Sequence, residues 1–319
     1  LGISKPPTRW ADLADPRYLH EIALANPVQS GSVGKSFEMV IQQQIQEAVA
    51  TPDQDAAPAS DEAIAAGWTR AMQLLQKIGA NARYFTDAST KISLDVASGE
   101  CAAGMTIDFY GRYQSQAVAD ANGESYVHYV DAVGGTSFGV DPIGVYRGAP
   151  HPDLAREFVE FVLSPTGQKL WNWKVGAPDG PERYALRRQP ILPSLYDAKW
   201  NSFRSDPDVM PYEAARKFTY HPEWTGPLFG TISFIFRSMC IDPHQEQVRA
   251  WSAIIEAGMP PEALAEFSKV DAVDYATAQG RIRSALGGAK IREVELAREL
   301  ADHFRGQYRR AEALARAGR

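Results

Sequence analysis

Glu21-Ile22-Ala23-Leu24-Ala25-Asn26-Pro27-Val28-Gln29-Ser30-Gly31-Ser32-Val33-Gly34-Lys35-Ser36-Phe37 carries three local signals in series. Glu21 to Ala25 is a short apolar run closed by Asn26-Pro27, which reads as a strand entering a turn. Gln29 to Gly34 is a turn built largely of small residues. Beyond it Phe37, Val40, Ile41, Ile45, Ala48 and Val49 recur at helical spacing, so the turn delivers the chain into a helix N-terminus.

Downstream, Thr51 to Ser60 is rich in Pro, Ala and Asp without periodicity and reads as a surface insertion. Ile64, Trp68, Ala71, Leu75 and Ile78 mark a second amphipathic helix, closed by Gly79. Ala102 to Phe109 is nearly uninterrupted apolar sequence, as expected of a strand buried on both faces of a parallel sheet, and Tyr126 to Val133 reads as another strand. Strands alternating with helices give an α/β fold class. Asp153 is expected to cap a helix with Leu154, Phe158, Phe161 and Val162 on one stripe, and Ser164-Pro165 opens the next. Gly176 to Pro193 reads as extended. Gly226 to Ile241 carries Arg237 and falls short of the roughly 20 residues a bilayer crossing needs, so it reads as a buried helix or a strand pair. From Gln247 on the pattern is helical, ending in a stripe of Val294, Ala297, Ala301, Phe304 and Tyr308 that suits a terminal helix docked on the body.

The chain has 319 residues, 45% of them hydrophobic, which is enough for a real core. Its net charge of −6, from 33 basic and 39 acidic residues, offers no field for phosphate backbones or anionic lipid, so neither nucleic acid nor membrane insertion is expected. Cys101 and Cys240 show no metal-ligand spacing and read as two buried thiols or one disulfide. The opening residues lack a basic and apolar leader pattern, as in a processed product or a piece of something longer.

The order of segments resembles the extracellular solute-binding proteins of ABC importers, especially the binders of ferric iron and related small anions. The matching stretches are Pro7-Thr8-Arg9-Trp10-Ala11-Asp12-Leu13, Ile22-Ala23-Leu24-Ala25-Asn26-Pro27 with Ser30-Gly31-Ser32, Gly67-Trp68, Asn81-Ala82-Arg83-Tyr84-Phe85-Thr86-Asp87, Val96-Ala97-Ser98-Gly99-Glu100, Gly148-Ala149-Pro150-His151-Pro152-Asp153, and Phe158 to Gln168. The likeness runs from residue 6 to about 190 and is loose beyond 195. It implies a periplasmic-binding-protein-like, type II two-lobed fold. Residues 1–140 would form the second α/β lobe, 141–195 a return segment to the first lobe, and 196–319 a mostly helical C-terminal region. It also implies that the opening of the first lobe and any signal peptide lie outside this chain. A periplasmic or extracellular location, an ABC permease as membrane partner and a small-molecule or ion ligand held in an interlobe cleft follow from the same resemblance.

Ser30, Gly31 and Ser32 are the leading binding residues. A helix N-terminus exposes unpaired N–H groups and the positive end of its dipole, glycine lets a ligand approach the backbone, and hydroxyls add donors. The same turn reads equally as a plain helix cap. Ser89 and Thr90, after Asp87, open a second short helix and face the cleft in the family's arrangement; they too read as a cap. Asp108, Phe109 and Tyr110 fall at the expected carboxyl end of the strand from Ala102, where ligands of open α/β sheets gather. Arg112 and Tyr113 follow as further cleft candidates. In ferric-ion binders the matching place carries two adjacent tyrosines. Here Phe109 replaces the first, leaving Tyr110 as the one candidate metal ligand and ferric iron as a candidate solute beside phosphate- or carboxylate-bearing molecules. No cofactor is expected otherwise.

Catalytic patterns are weak. The six histidines are scattered without HExxH, and there is no GxSxG elbow, Walker loop or GxGxxG. His221-Pro222-Glu223 and Asp242-Pro243-His244 could each bring an imidazole to a carboxylate, which keeps a metal-assisted hydrolase as the rival reading. A sensory solute-binding subunit is the other.

Overall fold

In the computed structural model, which describes residues 6–50, 59–139 and 141–318, β1 (Ile22–Ala25) is followed by α1 (Gly31–Val49), α2 (Asp61–Asn81), β2 (Ala82–Thr86), α3 (Ser89–Ala97) and β3 (Ala103–Gly104). The three strands form a parallel sheet in the order β2-β1-β3. Ile22 pairs with Ala82 on one side and Ala103 on the other, and Ala25 pairs with Thr86. Small side chains let the sheet's cover lie close: a Cβ on Gly104 would collide with Ile92 Cγ2 and lie 2.8 Å from Ala23 O. β1 is buried throughout, as a strand covered on both faces requires.

Several expectations change here. Residues 51–58 of the expected insertion lie outside the described residues. Gly79 does not close α2, which runs on to Asn81 and straight into β2 without a turn. Gly79 instead admits Cys240, whose Sγ would lie 2.8 Å from a Cβ there. The apolar run from Ala102 pairs only at Ala103–Gly104, and Asp108 already opens α4 (Asp108–Asn122). Asp108 and Tyr110 therefore stand in the first turn of a helix, not at a strand end. Tyr126 to Val133 forms no strand, because none of it joins a ladder. The cysteines are both free and buried.

Chain contacts divide the molecule into two units. The first comprises residues up to Ile107, Val130–Gly135 and Tyr220–Arg319; the second comprises Asp108–Tyr129 and Thr136–Thr219. In the second unit, α5 (Pro152–Leu163) and α6 (Pro165–Asn172) follow α4. Ser164 caps α6 through Gly167 N at 3.1 Å, whereas His151, not Asp153, occupies the cap position of α5. The apolar stripe of α5 is exposed, with Leu154, Phe158 and Phe161 all open to solvent. Gly176 to Pro193 takes no regular structure apart from a short turn of helix that starts at Pro193. Arg204 is fully buried and donates to the carbonyls of Asp206, Pro207 and Val209 at 3.0, 3.2 and 2.6 Å.

Residues 196–319 were expected as one C-terminal helical region, but from Tyr220 on they complete the first unit. Gly226 to Ile241 is helical, with α7 (Phe229–Phe236) running into a π-turn at Arg237–Ile241. α8 (His244–Glu256), α9 (Pro261–Phe267) and α10 (Lys290–Ala317) then pack together. Trp68 Nε1 donates to Val273 O at 2.9 Å, and Tyr308 Oη donates to Met239 O at 2.9 Å. Of the terminal stripe, Ala301, Phe304 and Tyr308 are buried together with Leu300 and dock on the body, whereas Val294 is exposed.

α1 and α2 meet most closely at Gly67, where a Cβ would lie 2.5 Å from Ile45 Cα. Backbone cannot yield as a side chain can. Gly67→Ala should therefore destabilise the fold by about 3 kcal/mol in urea unfolding. Gly230→Ala, on α7 with open space around it, should stabilise by ~0.5–1 kcal/mol. Equal stability of the two variants would refute the close-crossing account.

Candidate functional site

Both α1 and α3 start beyond the carboxyl ends of parallel strands, β1 and β2. Asn26 N donates to Thr86 O at 2.8 Å, which extends the ladder past the strands and holds the two following turns side by side. Ser30 is the N-cap of α1 in extended conformation, yet its hydroxyl makes no cap bond. It lies 3.2 Å from Ser32 Oγ, which in turn donates to Ser89 Oγ at 2.9 Å. Three hydroxyls 57 residues apart in sequence thus form one chain.

The direction of that chain follows from proton counting. Each hydroxyl has one donor. Ser32 gives its proton to Ser89, so Ser30 gives its own to Ser32, and the proton of Ser89 is left at the open end among the described residues. The first-turn N–H groups of Gly31, Ser32 and Val33 likewise meet no acceptor among the described residues, as expected of a helix start whose cap side chain has turned away. Gly31 has nothing within 4 Å of a would-be Cβ. This is a surface of donors without an Arg or Lys, suited to an anion.

Of the residues expected from sequence, Ser30, Gly31, Ser32 and Ser89 come together; Thr90 is exposed next to Ser89 on α3. Asp108 and Tyr110 belong to the second unit. There Tyr110 packs on Phe109 at 4.2 Å between ring centroids, and the Arg188 guanidinium stacks over Phe109 at 4.0 Å. Among the described residues no group of three His, Cys, Asp or Glu is placed to hold a metal ion.

The sequence reading missed a buried polar cluster about two turns deeper in α1. Glu38 is 1% exposed. Its Oε2 accepts from Lys35 Nζ at 2.7 Å, and its Oε1 from Tyr220 Oη at 2.6 Å and Thr225 Oγ1 at 2.7 Å. Burial, then the hydrogen bond and charge of Glu38, push the Tyr220 phenol up to about 12. Gln42, the next turn on, donates to Thr225 Oγ1 and to His221 O, both at 2.7 Å, and accepts from His221 N at 3.0 Å. The signal was present as Glu38, Gln42 and Gln43, polar residues at i, i+4 and i+5 inside an apolar helix, but the distant partners of Glu38 and Gln42 lie 179 to 187 residues away and that of Gln43 lies 90 away.

The histidines do not form the convergent site a hydrolase needs. His221 pairs with Glu223 at 3.0 Å and stacks on Trp224 at 3.9 Å near the surface. His244 is half-buried with its ring against Phe85 at 4.8 Å, and desolvation lowers its pKa.

Residues 3–176, more than half of the chain, match the family described as bacterial extracellular solute-binding protein. The chain belongs to that family. Members bind solutes in transport. Among curated relatives of this solute-binding protein, an uncharacterized protein of Haemophilus influenzae is 26% identical over 176 residues, covering 55% of this chain and 42% of the relative. The phosphoglycerate transport regulatory protein PgtC of Salmonella typhimurium is 26% identical over 166 residues, covering 52% of this chain and 34% of the relative. The chain thus spans less than half the length of the curated relatives it matches. No solved structure matches it. Among the described residues no helix is long and apolar enough to cross a membrane.

Gln42→Ala would leave the N–H of His221 and the hydroxyl of Thr225 short of partners. It should cost about 1–3 kcal/mol in urea unfolding. It should also speed hydrogen exchange at the His221 amide. Unchanged exchange there would show that Gln42 does not hold the segment.

Proposed function

We propose that this solute-binding protein is the capture subunit of an ABC importer, that it works in the periplasm or outside the cell, and that its solute carries a phosphate or carboxylate group. The observation that supports the anionic solute is the hydroxyl chain Ser30-Ser32-Ser89 at two adjoining helix N-termini. Its uncommitted donors are neutral. An anion can therefore leave as readily as it arrives, without the long dwell of a desolvated ion pair. Specificity in such a site comes from preplaced hydrogen bonds, and release to a permease requires no covalent step.

The name of the Salmonella relative makes 3-phosphoglycerate and inorganic phosphate the first probes. The same name favours, as a second reading, a sensory subunit that reports its bound state to a receptor.

Gly31→Val should leave the fold intact, since open space surrounds that position, while a branched side chain covers the free N–H groups. Calorimetry with 3-phosphoglycerate should show an affinity loss of at least tenfold, equivalent to ~1.4 kcal/mol. Ser89→Ala should weaken binding in the same direction by removing the terminal donor. Unchanged affinity in both variants would remove this turn from the site.

A further inference from the structure

A second cavity, of about 490 Å³, opens on the first unit between the segment Ala11–Pro16 and one side of α2. Ala11–Pro16 precede β1 and Lys77 precedes β2, and Ala82 pairs with Ile22. The cavity therefore belongs to the amino-terminal side of the sheet, opposite the turn at Ser30 to Ser32. Its volume falls within the roughly 300–1,000 Å³ usual for small-molecule sites.

Its wall carries two cations and two acids that do not meet each other. Arg70 and Lys77, seven residues apart on α2, both line it, and neither has an acidic or hydrogen-bonding partner among the described residues. The acids in the wall are already engaged: Asp12 Oδ2 accepts from the N–H groups of Thr8 and Arg9 at 2.7 and 3.0 Å, and Asp15 is paired with Arg17 at 2.9 Å. Lys77 is half-buried, and burial lowers its ammonium pKa. An ammonium shielded from water without a counter-charge costs stability. Beside the cations, Leu74 and Met259, both partly exposed, supply apolar wall, with the buried Trp251 behind them. Met259 is held at φ 63°, a left-handed conformation costly for a side chain of that size.

We propose that this cavity is a second ligand site, which takes a small amphipathic carboxylate with its anionic head on Lys77 and Arg70 and its hydrocarbon part against Leu74 and Met259. It is independent of the turn at Gly31. The ligand supplies the counter-charge the fold withholds, and an unpaired cation in a concave surface is the stability cost of keeping the site open.

The test is calorimetric titration of the whole chain with hexanoate, on wild type, Lys77→Met, Arg70→Gln and Gly31→Val, with thermal unfolding of each. Hexanoate should bind wild type and Gly31→Val alike, and at least tenfold more weakly to Lys77→Met. Lys77→Met should melt at or above the wild-type temperature, because it loses an uncompensated cation. Three results would overturn the proposal: no binding to wild type at 10-mM-order concentrations (~10 mM, a free energy of about −3 kcal/mol), affinity equal in wild type and Lys77→Met, or loss in Gly31→Val instead. A lower melting temperature for Lys77→Met, showing that Lys77 is a structural contact, would overturn it too.

Discussion

Glu38 is a carboxylate withdrawn from water, and the first unit is assembled around the groups that compensate it. Three donors, from Lys35, Tyr220 and Thr225, converge on its two oxygens. Removing any one would leave a buried charge short of partners, which costs more than an ordinary hydrogen bond returns. Two of the three lie where the chain re-enters the first unit at Tyr220. The buried carboxylate, with Gln42 beside it, thereby fixes the point from which Trp224, Leu228, Ile232 and Phe236 are fed into the core. Gln43, on the same helix, donates to Val133 O at 2.9 Å and secures the short segment Val130–Gly135. One helix thus offers free donors at its start and fastens two distant pieces of chain along its length.

What could be read from sequence was what local periodicity encodes. The strand, turn and helix around Ser30 and the docked terminal helix both have the spacing of their element, and both are found. β2 escaped because α2 passes into it at Asn81-Ala82 with no Gly, Pro or Asn-Gly signal between them. Tyr126 to Val133 has strand-like composition but joins no ladder among the described residues, and a strand exists only as part of a ladder. The turn from Met105 to Asp108 ends an apolar run that composition alone would have continued. The return of residues 220–319 was illegible for another reason: its contacts, such as Trp68 with Val273, link residues 205 apart.

The candidate site divides along the same line. Ser30, Gly31 and Ser32 announce a helix start by residue type. That Ser32 should donate to Ser89 depends on two turns being held side by side by the bond from Asn26 to Thr86, which no local pattern encodes. Asp108 and Tyr110 were placed by assuming a longer strand, and they moved when β3 proved to be two residues long.

The closing of α10 over the body has a consequence in time. Gln76 of α2 donates to the hydroxyl of Tyr308, 232 residues later. At a synthesis rate of about 5–20 residues per second, roughly 10–50 s separate the appearance of these two partners on the ribosome. For most of that interval α2 lacks the cover that α8 and α9 bring, and it gains that of α10 only at its end. The core of the first unit therefore cannot be completed before Tyr308 has emerged, whatever the rest of the chain has done by then.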